Sequence, residues 1–309
     1  MTTIRRQLHA SGLTAALAIA LVAAAASAQG FAPNQAKPFD DLVQFRLISD
    51  AEAIKPGQTF SVGVVFDIVD GWHVYWLNPG DAGMAPSLDW SLPDGVKLLD
   101  VAWPVPKRYE EPGGIVAFGY ADQLVLVATL QASADIEPET NLVLKADADW
   151  LVCRDRCLPG RGSAKLALQV GQSRASAEAD RASLDAWRAR LPADAPARSP
   201  DGSPAGPVAA IKAAQADAEG NLRLVVLWAD KPPASVDWFW HGFDGGEVEN
   251  IERQTKDNMT EITATLRTYG GKPLPGKLQS VLAWTNSKGE RRGLKIPIPI
   301  GAFADGKAP

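Results

Sequence analysis

Asp149-Trp150-Leu151-Val152-Cys153-Arg154-Asp155-Arg156-Cys157-Leu158-Pro159 holds both cysteines of this 309-residue chain, and the remainder reads as scaffold around it. Residues four apart in an extended strand lie about 13 Å from each other, too far for a disulfide. A tight turn at Arg154-Asp155-Arg156 brings the two Cα atoms within the roughly 4.4–6.8 Å that the bond needs. One helical turn would also bring them close. Trp150-Leu151-Val152 before the pair and Leu158-Pro159-Gly160 after it favour strand, turn and exit instead.

Three uses of such a pair compete: a structural staple, a metal pair and a reversible redox couple. Closing a ring of about five residues contributes only about 2 kcal/mol. A chain of this length buries its own core without so small a clip. The redox reading is therefore preferred. Arg154, Arg156 and Arg161 would lower a thiol pKa, while Asp149 and Asp155 act against them.

Outward from the cysteines, residues 42–170 are short β-type runs broken by turn residues. The runs are Val43–Ile48, Thr59–Asp67, Trp72–Trp76, Val96–Val101, Leu124–Leu130, Asn141–Val152 and Lys165–Val170. Lys55-Pro56-Gly57, Asn78-Pro79-Gly80, Pro93-Asp94-Gly95 and Pro112-Gly113-Gly114 punctuate them. This pattern predicts an antiparallel sandwich of immunoglobulin-like type.

Between 173 and 191 the character changes: Leu184, Trp187 and Leu191 fall at helical spacing, predicting a helix. Pro192 to Pro207 then carries five prolines and reads as a linker, so 173–207 joins two parts. Beyond it, Asn221–Trp228, Val236–Trp240, Val248–Gln254, Glu261–Leu266, Gln279–Thr285 and Arg291–Ile298 predict a second β-sandwich over 208–300. The expected fold is thus all-β, with tandem antiparallel immunoglobulin-like sandwiches joined by a short helix and a Pro-rich linker. The second half has no cysteine and one histidine, His241, and offers no catalytic constellation.

At the start, Arg5 and Arg6, an apolar run from Leu13 to Ala26 and the small-residue site Ala26-Ser27-Ala28 read as a secretory signal over 1–28. Its removal takes the formal charge from −5 to −7, which disfavours a nucleic-acid partner. No later run approaches the length of a membrane span. Export to an oxidising compartment also permits a disulfide.

Two features of the first β part are placed to serve the cysteines. The aromatic group Trp72, His73, Tyr75 and Trp76 lines a pocket around sulfur or belongs to a core strand with alternating sides. The segment Pro106-Lys107-Arg108-Tyr109-Glu110-Glu111-Pro112-Gly113-Gly114 is a lid or an ordinary solvated loop.

Gly71-Trp72-His73-Val74-Tyr75, Trp103-Pro104-Val105-Pro106, Phe118-Gly119-Tyr120 and Trp150-Leu151-Val152-Cys153 through Cys157-Leu158-Pro159 together resemble the N-terminal periplasmic domain of DsbD-type protein-disulfide reductases. The three-residue spacing of the cysteines and the second β part are most similar to the ScsB branch, the suppressor-of-copper-sensitivity relatives. The resemblance implies an immunoglobulin-like sandwich passing electrons from a membrane thiol transporter to periplasmic thioredoxin-fold proteins. It makes Cys153 and Cys157 the redox pair, with the later cysteine meeting the partner. Tyr109, Glu110 and Glu111 become the cap loop, and Tyr75 and Trp150 the cysteine surroundings. It also brings cytochrome c biogenesis and copper tolerance as associated processes.

Full-length members continue into a membrane domain and a thioredoxin-like domain, and no such segments occur up to Pro309. The expectation is a stand-alone periplasmic module whose membrane donor is encoded separately, with no cofactor and no metal. One alternative is a copper-binding protein using Cys153 and Cys157 with His73 or Met84, since thiolate and thioether ligands suit Cu(I). The other is a structural sandwich with an inert disulfide.

Overall fold

The computed structural model describes residues 40–111, 113–194 and 207–301. The signal read at 1–28, Pro112 of the presumed loop and residues 195–206 of the linker lie outside them.

The first half builds twelve strands: Val43–Ser49 (β1), Ala51–Ile54 (β2), Thr59–Ile68 (β3), His73–Gly80 (β4), Ser87–Ser91 (β5), Val96–Ala102 (β6), Lys107–Glu111 (β7), Ile115–Ala121 (β8), Gln123–Ala132 (β9), Asn141–Cys153 (β10), Cys157–Val170 (β11) and Arg174–Ala175 (β12). One sheet runs β1-β3-β9-β6, and the other runs β12-β2-β11-β10-β4-β8-β7 with β5 also on β10. Pairing is antiparallel except where β11 meets β2. Phe66, Leu124, Leu126, Leu130 and Leu144 are fully buried in the core cluster of this half.

β10 shows why the sequence folds this way. Leu142, Leu144, Ala146, Ala148, Trp150 and Val152 are buried at every second position, the period of a strand with one face on a core. Val143, Lys145, Asp147, Asp149 and Leu151 take the opposite face and are not buried.

β11 begins at Cys157, eight residues before the expected start, so Pro159 and Gly160 continue the strand instead of leaving it. Two local facts permit this. β2 pairs with β11 only at Gln169 and Val170, so the missing N–H of Pro159 breaks no ladder on that edge. Gly160 lies opposite Trp150, and a Cβ there would sit 2.3 Å from the indole nitrogen.

The expected helix is Glu178–Arg188 (α1). Glu178 and Asp180 in its first turn and Arg188 in its last suit the helix dipole. Leu184 and Trp187 are buried on the first sandwich, where Trp187 Nε1 donates to Gln123 Oε1 at 3.0 Å. Arg188 pairs with Asp50 at 2.6 Å.

The second half contains Ala193–Asp194 (β13), Val208–Ala216 (β14), Asn221–Trp228 (β15), Val236–Trp240 (β16), Gly246–Lys256 (β17), Met259–Thr268 (β18), Lys277–Leu278 (β19), Ser280–Thr285 (β20), Arg291–Lys295 (β21) and Ile298–Pro299 (β22). Its sheets run β13-β21-β20-β16 and β14-β15-β18-β17, beside the small β19-β22 pair. Trp228, Leu224, Leu282 and Ile298 centre its core.

The two halves meet through apolar contacts. Phe239 on β16 is fully buried, its ring edge-on to Phe118 at 5.0 Å and to Trp76 at 5.9 Å. Asn78 Nδ2 donates to the Trp240 carbonyl at 3.0 Å, and Arg291 Nε to the Pro106 carbonyl at 2.8 Å. We propose that 42–170 and 208–300 are two domains with their boundary in 173–207. Limited proteolysis is then expected to cut first within Pro192–Pro207. The fragments should co-elute on gel filtration until denaturant is added, because buried aromatic contacts and side-chain hydrogen bonds join them. Early cuts elsewhere would move the boundary.

Candidate functional site

Cys153 and Cys157 face each other as the last registered pair of the β10–β11 hairpin, with Arg154-Asp155-Arg156 as its loop. Their Cα atoms are 4.2 Å apart and the sulfurs are joined as a disulfide. Cys153 continues the outward series 143, 145, 147, 149, 151, so the bond lies on the outer face of the sandwich, away from its core. It is nonetheless only 1% exposed, because Tyr75, Ala117, Tyr109 and Leu151 pack over it in a small separate cluster. Cys157 is exposed. The two sulfurs of one bond therefore meet different surroundings.

The strand period assembles the rest. His73 and Tyr75 share one face of β4, and His73 is registered opposite Cys153. Val74 and Trp76 take the other face and join the core. All four aromatics of the 72–76 run are buried, but only His73 and Tyr75 belong to the sulfur side. β8 brings Ala117 to this face. Gly119 on β8 is required by close approach, since a Cβ there would lie 2.1 Å from the Val74 carbonyl.

The segment expected as a loop, lid or otherwise, is largely strand. Lys107–Glu111 pairs along β8 from Lys107↔Gly119 to Glu111↔Ile115, making a hairpin whose turn holds Gly113 and Gly114 at positive φ. Its alternation delivers Tyr109 and Glu111 to the cysteine face. Glu110 points elsewhere, with its side chain 73% exposed and paired to Arg108. Trp150 is also not at the sulfur. It is buried in the sandwich core, 5.4 Å from the Phe66 ring and 5.9 Å from Phe45, because it lies three residues before Cys153 and so on the opposite face.

A contact chain runs through what remains. The Tyr75 hydroxyl is 3.2 Å from Cys157 Sγ and 3.5 Å from Glu111 Oε1. The same carboxylate oxygen is 3.0 Å from His73 Nε2. A carboxylate only accepts, so Nε2 carries the hydrogen. His73 stacks on Tyr109 with centroids 4.9 Å apart and planes 9° from parallel.

Burial lowers the His73 pKa below the ordinary imidazole value, and Glu111, through its charge and its hydrogen bond, opposes that shift without reversing it. Burial and then the Glu111 charge push Tyr75 up to about 12. Burial and then Asp122 push Tyr109 to about 12. Both phenols stay protonated across the physiological range. Among the described residues no three His, Cys, Asp or Glu side chains are grouped to hold a metal. Of the further copper ligands named, His73 has its Nε2 engaged by Glu111, and Met84 is 46% exposed.

A family model described as the N-terminal part of the thiol:disulfide interchange protein DsbD matches residues 44–169. This segment is a DsbD-type N-terminal domain. The crystal structure of the N-terminal periplasmic domain of ScsB from Proteus mirabilis superposes with a TM-score of 0.61 at 18% identity, over 86% of this chain and 96% of that one. The DsbD-type domain is thus ScsB-like in fold, and the likeness extends over the second β half. The reduced DsbD N-terminal domain of Neisseria meningitidis is 16% identical over 46% of this chain and 96% of that one, with a TM-score of 0.27. No curated protein sequence matches the chain. The DsbD-type domain and its disulfide fit thiol–disulfide exchange in general. No helix among the described residues is long and apolar enough to cross a membrane.

Of the residues that the resemblance names around the cysteines, the structure brings Tyr75, Tyr109 and Glu111 together beside the disulfide. Sequence reading did not find His73 as Glu111's partner, nor the outer-face cluster. The signal for the second was there: His73, Tyr75 and Cys153 all occupy outward positions once the register of β4 on β10 is known.

Proposed function

We propose that the DsbD-type domain is an electron-relay module working in the periplasm, taking electrons from a membrane thiol transporter and passing them to thioredoxin-fold proteins. The observation that carries this reading is the asymmetry of the disulfide, with Cys153 1% exposed and Cys157 open to solvent. Exchange needs a thiolate to reach one sulfur along the S–S axis. Cys157 is the exposed residue of the pair, and Cys153 is the buried one.

An incoming thiolate bonds to Cys157 Sγ, the S–S bond breaks, and its electron pair leaves on Cys153 Sγ. The partner's second thiolate then attacks the partner's own sulfur in the mixed disulfide and releases Cys157 as a thiolate. The partner departs oxidised and the domain is reduced. Run backwards, the same two steps reduce a disulfide substrate. The β7–β8 hairpin, through Tyr109 and Glu111, serves as a cover beside the pair. Its support is the packing of Tyr109 over Cys153 and the reach of Glu111 to Tyr75.

Titration in defined thiol buffers tests the relay. The potential is expected well above the roughly −300 mV below which structural disulfides of secreted proteins fall. Circular dichroism of the reduced protein should be unchanged, because closing so short a loop contributes only about 2 kcal/mol. A lower potential, or unfolding on reduction, would leave a structural clip as the better reading.

A further inference from the structure

The Tyr75 hydroxyl has one hydrogen and two takers, Cys157 Sγ at 3.2 Å and Glu111 Oε1 at 3.5 Å. Its position is fixed from several sides. Tyr75 is fully buried, and Gly83 covers its ring so closely that a Cβ there would lie 2.3 Å from it. His73 is edge-on to it at 5.3 Å.

In the disulfide state Sγ is uncharged, and the carboxylate is the stronger acceptor. When exchange leaves Cys157 as a thiolate, the charged sulfur, which is also the nearer atom, competes for that hydrogen. Glu111 is not stranded when the hydroxyl turns away, because His73 Nε2–H still donates to the same oxygen at 3.0 Å. This matters because a part-buried carboxylate that lost its donors would cost the site stability.

We infer that Tyr75 is a catalytic residue of this site: its hydroxyl donates to the Cys157 thiolate, and it can do so because His73 keeps Glu111 paired. The inference rests on the thiol-exchange reading and adds to it the group that stabilises the sulfur anion in both directions of the reaction. The other titratable groups around Cys157 are Glu111 from β7, Cys153 from β10, and Arg154, Asp155 and Arg156 in the hairpin loop. Arg154 is held by Asp155 at 2.9 Å and lies over the Trp72 ring at 5.0 Å. Tyr75 is the group whose hydrogen bond to Cys157 Sγ the geometry defines.

The test measures the pH dependence of Cys157 alkylation by iodoacetamide in a Cys153→Ser background. Adding Tyr75→Phe is expected to raise the midpoint by about one pH unit, a roughly tenfold smaller thiolate fraction at neutral pH. Tyr120→Phe removes a buried hydroxyl that donates to the Pro104 carbonyl from the core face of β8, and should leave the midpoint in place. An unmoved midpoint in Tyr75→Phe, or an equal shift in Tyr120→Phe, would overturn the assignment. Should Tyr75→Phe fail to fold, fluorotyrosine at position 75, a stronger donor of nearly the same size, should lower the midpoint; no change would count against the inference. Alkylation needs no protein partner, so failure of the relay and failure of this assignment give separate results.

Discussion

Cys157→Ser is expected to abolish exchange with an oxidised thioredoxin-fold protein, whereas Cys153→Ser is expected to attack that protein's disulfide through the Cys157 thiolate, release one of its sulfurs as a thiolate, and hold it as a one-to-one mixed disulfide. The two cysteines belong to one bond but not to one environment. Cys153 is packed under Tyr75, Ala117, Tyr109 and Leu151, and Cys157 is exposed at the hairpin end. An attacking thiolate reaches only the sulfur it can approach. Without Cys157 no mixed disulfide forms. Without Cys153 it forms through Cys157 and lacks the internal thiol that would resolve it. Non-reducing electrophoresis and mass spectrometry of the trapped species decide the matter. Trapping through Cys153 in the Cys157→Ser protein would reverse the order of attack.

Phe239→Ala is expected to destabilise the protein strongly. The ring is fully buried between the sandwiches, against Phe118 and Trp76 of the first. Phe-to-Ala changes at such positions cost about 3–5 kcal/mol from lost transfer energy and residual cavity. At roughly 2–4 °C per kcal/mol for a chain of this size, the melting temperature is expected to fall by about 10 °C. Phe118 and Trp76 flank the face of β4 and β8 opposite to His73 and Tyr75. A second, earlier transition reported by tryptophan fluorescence would show the halves uncoupling. A change below about 1 kcal/mol would mean that the second sandwich does not support the first.

Most of the scaffold was legible because strand burial has a period of two. Val43–Ile48, Thr59–Asp67 and Asn141–Val152 were read within a few residues of β1, β3 and β10, since alternating apolar residues leave few other folds. The tight turn at Arg154-Asp155-Arg156 was equally readable, because two thiols four residues apart in a strand cannot otherwise meet. Polar strands escaped. Lys107–Glu111 has no apolar alternation, and its membership in the sheet comes from pairing with β8, a partner that local composition does not announce.

That this is an all-β chain, with one cysteine pair able to close across a tight turn, follows from the residues alone, because periodicity, turn residues and spacing are local properties. The chemistry around that pair comes from how the strands are paired in space. Whether Cys153 is buried and Cys157 open, why Trp150 belongs to the core and not to the sulfur, and which carboxylate of Glu110 and Glu111 faces the site all depend on register. A shift of one residue on β7 or β10 would exchange those faces. The contact of Glu111 with both His73 and Tyr75 joins residues 38 and 36 positions apart, and it exists only because β4, β8 and β7 lie side by side.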